Sequence, residues 1–273
     1  MPLEPALVAD AQDARLAPYR DLRDPAAAVR DGLFVLEGRL LVEHLLASSL
    51  STHSVLVSSD HLARLRSLLA AHPAPPPVLV ADTALIRTVV GYSFHRGCLA
   101  LARRPPLEPL HAFLSRVTDP DAIVVALEGV DNPDNLGGVF RNAMAFGAAG
   151  VLLSPGCGDP LYRKAVRVSM GGALAVPFLH AEDWPTALTT LRSAGFTLLA
   201  LTPGPGARDI TDLGGAITRP ARTALLVGAE FSGLSAVTRA AADLAVGIRM
   251  ARGVDSLNLA SAKAIALHRL TVR

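Results

Sequence analysis

Lysine is almost missing from this chain: of 26 basic residues only Lys164 and Lys263 are lysines, and the rest are arginines. With a net charge of +2, no basic tail or arm advertises nucleic acid. Cysteine is as scarce. Cys98 and Cys157 form no CxxC pair, which excludes a disulfide framework and a zinc ribbon, and both read as buried or half-buried free thiols. The eight histidines include no HExxH, so no metal centre is expected. No apolar run approaches the roughly 20 residues that cross a bilayer. The opening MPLEPALVADAQDAR is acidic and broken by prolines, unlike a signal peptide, so the cytoplasm is the expected compartment. Three nucleotide and hydrolase signatures are also missing: GxGxxG after a strand, GxxxxGK[ST] and GxSxG. Aromatics are 4% of the chain, and the 51% of hydrophobic residues rests on Ala, Leu and Val. In 273 residues that suffices for the cores of two modest domains.

What is present alternates. Strand-length apolar runs at Leu33–Leu36, Ser54–Ser58, Val78–Val80 and Gly97–Ala102 are separated by helical patterns. The first of these helices, Glu37–Ser48, places Leu40, Leu41, His44 and Leu45 on its apolar side. This predicts a small α/β domain over 1–103. Arg103-Arg104-Pro105-Pro106-Leu107-Glu108-Pro109 has three prolines and no period, so 104–120 reads as a linker. A second α/β domain, 121–273, follows. Its strands are expected at Ala122–Leu127, Val151–Leu153, Leu174–Leu179, Phe196–Leu201, Thr223–Val227 and Leu244–Met250. A last helix, Leu257–Leu270, is expected to bury Leu257, Ala260, Ala264 and Leu267 behind a cap at Asp255 or Ser256. Regular βα alternation predicts a mostly parallel sheet covered on both faces.

The chain is organised around EGVDNPDNLGGVFRNAMAFGAAG, residues 128–150. Asn132-Pro133 is a helix start, with Asn132 as N-cap and Pro133 at the first helical position. Asn135 and Arg141 are polar members of this Ala/Gly/Phe-rich helix. Taken alone, Asn135 would as readily help cap its helix, and Arg141 would more often be a surface ion-pair residue. Three late strands each end in a loop rich in Gly, Pro or Ser: Leu201–Gly206, Gly228–Ser235 and Met250–Ser256. In open parallel sheets ligands bind outside the carboxyl ends of the strands. Three such loops, with Glu230, Ser256 and Asn258, point to a site built largely from main-chain groups. The cluster Arg163, Lys164 and Arg167 on a helix over Tyr162–Met170 reads either as an RNA-phosphate contact or as a solvated face.

DNPDNLGGVFRNAMAFG, LLVGAEFSGLS and IRMARGVDSLNLASAKAIAL together resemble, in order and spacing, the three motifs of the SpoU/TrmH RNA ribose methyltransferases of the SPOUT class. FVLEGRLLVEHLL and the later GCLALA are similar to the L30e-type RNA-binding domain that often precedes that catalytic domain. The resemblance implies a C-terminal trefoil knot, a homodimer and S-adenosylmethionine as cofactor, without a metal. It places Leu201, Thr202, Pro203, Gly204, Val227, Gly228, Ile248, Met250 and Leu257 at the cofactor, and Asn135, Arg141, Glu230, Ser256 and Asn258 in the catalytic set. The implied activity is methyl transfer to a ribose 2′-OH of RNA, with 23S rRNA favoured over tRNA. A non-catalytic RNA-binding or ribosome-assembly protein of the same fold, and an enzyme acting on a small nucleotide or metabolite, stand as alternatives. The third motif departs from its usual Ile-Pro-Met in reading Ile248-Arg249-Met250, and Asn142 stands where Thr is common.

Overall fold

A computed structural model describes residues 3–20, 22, 32–204, 206–213, 220–251, 254 and 257–271. Its first elements are β1 (Ala6–Leu7), β2 (Leu33–Glu37), α1 (Arg39–Leu46), β3 (Thr52–Val57), α2 (Ser59–Ala71), β4 (Val78–Val80), α3 (Thr83–Val90) and β5 (Cys98–Arg103). There follow α4 (Leu110–Ser115), β6 (Ile123–Glu128), α5 (Pro133–Ala145), β7 (Gly150–Leu153), α6 (Arg163–Ser169), α7 (Gly172–Ala175), β8 (Phe178–His180) and α8 (Trp184–Ser193). The last are β9 (Thr197–Leu201), β10 (Arg208–Asp209), β11 (Thr223–Gly228), α9 (Ala236–Ala241), β12 (Leu244–Gly247) and α10 (Leu259–Thr271). Two compact units result, one of Met1–Pro106 with Leu161–Leu174 and one of Leu107–Pro160 with Ala175–Arg273.

The first unit is a five-stranded sheet in the order β1-β4-β3-β5-β2. β3 pairs parallel with β4 and antiparallel with β5, and β5 pairs antiparallel with β2. Helix α1 buries Leu41, Val42, Leu45 and Leu46, whereas Leu40 is 41% exposed and His44 is exposed. The apolar stripe is thus rotated from the expected one, because Val42 and Leu46 sit one turn apart and outweigh the Leu40–His44 pair. Helix α6 belongs to this unit although it lies in the sequence between β7 and β8. It buries Ala165, Val166 and Ser169, and Arg163 on it reaches Glu37 at the end of β2 at 3.3 Å.

The second unit is a seven-stranded sheet in the order β10-β12-β9-β11-β6-β7-β8. Every pair in it is parallel. Parallel strands buried on both faces carry continuous apolar runs, and β6, β7 and β11 show this in IVVALE, GVLL and TALLVG. Phe113, Leu152, Trp184, Leu188, Leu198 and Leu226 belong to one core. Elsewhere in the unit Phe140 meets the edge of Phe178 with ring centres 5.5 Å apart. Burying one such side chain stabilises by about 1.5–3 kcal/mol.

One strand was misplaced by pattern. Residues 174–179 begin in helix α7, and the strand is confined to Phe178–His180. Pro177 explains the late start, since it disfavours helix at the preceding residue and offers no N–H to a ladder.

Candidate active site

Because all seven strands of the second unit run the same way, the loops after β9, β11 and β12 open at one end of the sheet. There they line a cleft of about 670 Å³. Leu201, Thr202 and Pro203 come from the first loop, Val227 to Leu234 from the second, and Ile248, Met250 and Leu257 from the third. Every described residue assigned to the cofactor lines this cleft except Gly204, which is exposed.

The middle loop is shaped by a glycine. A Cβ on Gly228 would stand 2.1 Å from the carbonyl carbon of Gly233, a distance that no side chain survives. The close approach lets Ala229 bridge Gly233, with the Gly233 N–H donating to the Ala229 carbonyl at 3.0 Å. Glu230, Phe231 and Ser232 are carried at the tip, with Phe231 fully exposed. Glu128, at the carboxyl end of β6, braces the loop's far side. Its carboxylate accepts from the Ser235 N–H and the Thr238 hydroxyl, both at 2.8 Å. Trp184 in turn donates its indole N–H to Thr238 Oγ1 at 2.9 Å.

Asn135, Glu230 and Asn258 come together. The Asn258 side-chain amide donates to Asn135 Oδ1 and to Glu230 Oε1, each at 3.3 Å. Three elements distant in sequence are thereby joined: the first turn of α5, the loop after β11 and the start of α10. The capping alternative for Asn135 falls to Asn132, whose Oδ1 accepts from the Asp134 and Asn135 N–H groups. Asn135 itself is buried and directed at Asn258. Asn258 has a second task, since its Oδ1 accepts from the N–H groups of Ala260 and Ser261 and so caps α10. The expected caps, Asp255 and Ser256, lie outside the described residues, and so does the catalytic assignment of Ser256.

Arg141 stands apart from that trio. It is exposed on α5 and makes no hydrogen bond or ion pair among the described residues. Among the described residues it is therefore not held in the surface ion pair that the sequence also allowed. Arg249, the departure in the third motif, pairs with Asp209 at 3.0 Å. Asp209 is held below the usual carboxylate range by the Thr211 N–H and hydroxyl, with Arg249 adding to the effect.

Of the basic trio on α6, Arg163 is engaged within the first unit. It pairs with Glu37 and stacks its guanidinium 4.1 Å from the centre of the Tyr92 ring. Tyr92 donates its hydroxyl to the same Glu37 oxygen at 3.3 Å. Arg163 thus holds α6 against β2. Lys164 and Arg167 are half-buried.

Two residues near the cleft escaped sequence reasoning. Glu128 follows an apolar strand and reads as its polar end. Lys263 is wholly buried in α10, where a lone lysine among Ala, Ser and Leu reads as the solvent-facing position. No group of three or more His, Cys, Asp or Glu suited to a metal occurs among the described residues.

Comparison with known proteins extends this geometry. The SpoU rRNA Methylase family matches residues 122–268. An uncharacterised tRNA/rRNA methyltransferase of Mycobacterium bovis is 42% identical over 268 residues, 97% of this chain and 91% of that protein. A 23S rRNA (guanosine-2'-O-)-methyltransferase RlmB from a Burkholderia species is 30% identical over 75% of this chain and 81% of its own length. The crystal structure of an AdoMet-bound rRNA methyltransferase from Sinorhizobium meliloti superposes with a TM-score of 0.80 at 24% identity, covering 97% of each chain. The family match spans more than half of the chain and takes in the cleft, Asn135, Arg141, Glu230 and Asn258. On that ground the chain belongs to the SpoU rRNA Methylase family.

Proposed function

We propose that this protein transfers a methyl group from S-adenosylmethionine to a ribose 2′-OH of RNA, with 23S rRNA as the favoured substrate. The observation that carries the reading is the meeting of Asn135, Glu230 and Asn258 at the rim of the three-loop cleft. Names among the relatives support it: the 30%-identical Burkholderia protein is a ribose methyltransferase of 23S rRNA.

The cleft fits the cofactor. Its walls mix main chain with Leu201, Val227, Ile248, Met250 and Leu257, suiting a ligand with a flat base and a charged tail. At Gly228 the room for a side chain is taken by the Gly233 and Leu234 backbone, so glycine lets this wall of the cleft fold closely on itself. When bound, S-adenosylmethionine supplies an electrophilic methyl. Everything else is work for the chain's own residues. In-line displacement requires the hydroxyl to be aligned and partly relieved of its proton. Asn258 and Asn135 offer amide groups to orient the ribose, and Glu230 anchors Asn258 from the opposite loop. Arg141, exposed and without an ion pair among the described residues, orients the hydroxyl and the flanking phosphate. A guanidinium with a pKa above about 12 is a poor free base, so its contribution is electrostatic positioning. In this proposal the second unit carries a trefoil knot, the enzyme works as a homodimer, and the first unit is an L30e-like domain that selects the RNA.

The test is transfer of labelled methyl from S-adenosylmethionine to purified ribosomal RNA and, separately, tRNA. Arg141→Ala should lower transfer on the order of 10²-fold while leaving cofactor binding within about twofold. Label in tRNA alone would overturn the substrate. No label in either pool or in assembled ribosomal particles would overturn the activity.

A further inference from the structure

Every phenylalanine, tyrosine and tryptophan of the chain is buried or half-buried except one. Phe231 is fully exposed at the tip of the loop after β11, and it lines the cleft. In a chain with only 4% aromatics, the ring left in water forgoes the stabilisation that burial gives the others. Packing does not account for a phenylalanine there.

The loop gives the ring no retreat. Ala229 and Gly233 form a bridge, with the Gly233 N–H donating to the Ala229 carbonyl at 3.0 Å. Gly233 turns the chain with a φ of 63°, which glycine adopts without strain. Only Glu230, Phe231 and Ser232 span the tip, so there is no slack to fold the ring back onto the sheet. Beyond the turn, the Ser235 N–H is fixed on the Glu128 carboxylate at 2.8 Å. The ring is held outward by the backbone that carries it.

Its neighbours decide what it meets. Glu230 accepts from the Asn258 amide, which also donates to Asn135 Oδ1, both at 3.3 Å. In the methyltransferase reading, on which this inference rests, those amides orient the substrate ribose. A nucleoside carries its base on C1′, the carbon next to the one bearing the 2′-OH. A ribose held by these amides therefore brings a flat base with it, and Phe231, one residue along the loop, offers that base an aromatic face. The cofactor has other apolar walls in Leu201, Val227, Ile248, Met250 and Leu257, and a fully exposed ring packs against none of them. We propose that Phe231 stacks on the base of the target nucleotide and holds it apart from its RNA neighbours while the ribose is methylated. Unpaired bases are bound by aromatic rings in this way, with little regard to base identity, because every base has a π-face. The stack forms on binding and persists through transfer, so its loss weakens ground and transition states alike.

Phe231→Ala is the first test. On the RNA pool that accepts label, KM for RNA should rise on the order of tenfold, the scale of one lost base stack, with kcat within about twofold. Melting temperature and calorimetric affinity for S-adenosylmethionine should not move, since the ring packs against nothing. Phe231→Tyr should keep the wild-type KM and Phe231→Leu should not, because leucine is apolar but has no π-face. An unchanged KM in Phe231→Ala, or a wild-type KM in Phe231→Leu, would overturn the proposal. Phe231→Trp gives a readout apart from turnover. Trp184 is buried, so the new indole reports from the loop tip over a constant background, and ribosomal RNA or tRNA should quench it by stacking. Quenching by S-adenosylmethionine alone would make the ring a cover for the cofactor. Emission that changes with protein concentration alone would make it a contact between copies. Either result overturns the proposal. Label transfer without quenching overturns the stack and leaves the methyltransferase reading standing. Quenching by RNA with no label in any pool keeps the stack and fails that reading, and the absence of both signals overturns both.

Discussion

The two units use β-structure differently. In the first, β3 is parallel to one neighbour and antiparallel to the other, so successive strand ends point both ways. In the second, seven strands run in one direction, and the loops after β9, β11 and β12 gather at one end to enclose the cleft. Their buried ionisable groups differ as well. Glu37 in the first unit meets Arg163, Arg96 and Tyr92, whereas Lys263 in the second meets no hydrogen-bonding partner among the described residues. A buried ionisable group surrounded by partners holds elements together; a buried amine left without them is driven toward its uncharged form.

Enlarging Gly228 should break that distinction most severely. Gly228→Val pushes a side chain into the Gly233 backbone, and a loss of about 3 kcal/mol or more is expected. Melting and cofactor calorimetry should show lowered stability and abolished binding together. Glu37→Gln attacks the other unit. Weakening its two arginine contacts should destabilise by about 1–3 kcal/mol in denaturant unfolding while leaving cofactor affinity untouched.

A pH experiment sharpens the contrast in buried charge. With its folded-state value lowered, Lys263 binds its proton more readily when unfolded. Stability should therefore rise with pH from that lowered value up to the unfolded value of about 10.4. Burial pushes the Cys98 thiol up to about 12, which works in the opposite sense above about 8.5. Subtracting the Lys263→Met melting curve from that of wild type isolates the lysine, and a flat difference would refute its neutral state. The smallest effect belongs to Arg249→Pro. Its ion pair with Asp209 involves an arginine side chain that is 83% exposed, so about 0–1 kcal/mol is at stake, read as a shift in melting of a few degrees at most.

Much of this was legible beforehand because apolar periodicity and turn chemistry are local. Asn132-Pro133 announced the start of α5, and the glycines after β11 announced a loop that approaches its surroundings closely. Legibility failed where a residue's phase about a helix decides its fate. Helix α10 is rich in Ala on several sides, so its pattern could not choose between a buried Ala264 and a buried Lys263. The same ambiguity turned α1 toward Val42 and Leu46. The meeting of Asn258 with Glu230 spans 28 residues and that with Asn135 spans 123. Only the three-motif resemblance, and no local rule, anticipated that they share a site. The placement of α6 in the first unit depends on Arg163 finding Glu37 126 positions earlier, which no local signal carries.

Asn142, where threonine is common, also gains a meaning. Its side-chain amide donates to the Ala260 carbonyl at 2.7 Å, while two turns earlier on the same helix Asn135 receives Asn258. Between these points Gly138 would bring a Cβ within 2.8 Å of Ala260. Two helices riveted at both ends of a seamless contact lose the freedom to slide. A shift of one residue, about 1.5 Å of rise, would shear both rivets at once. The helix pair therefore behaves as a ruler, fixing how far the backbone that carries Asn258 stands from the backbone that carries Arg141.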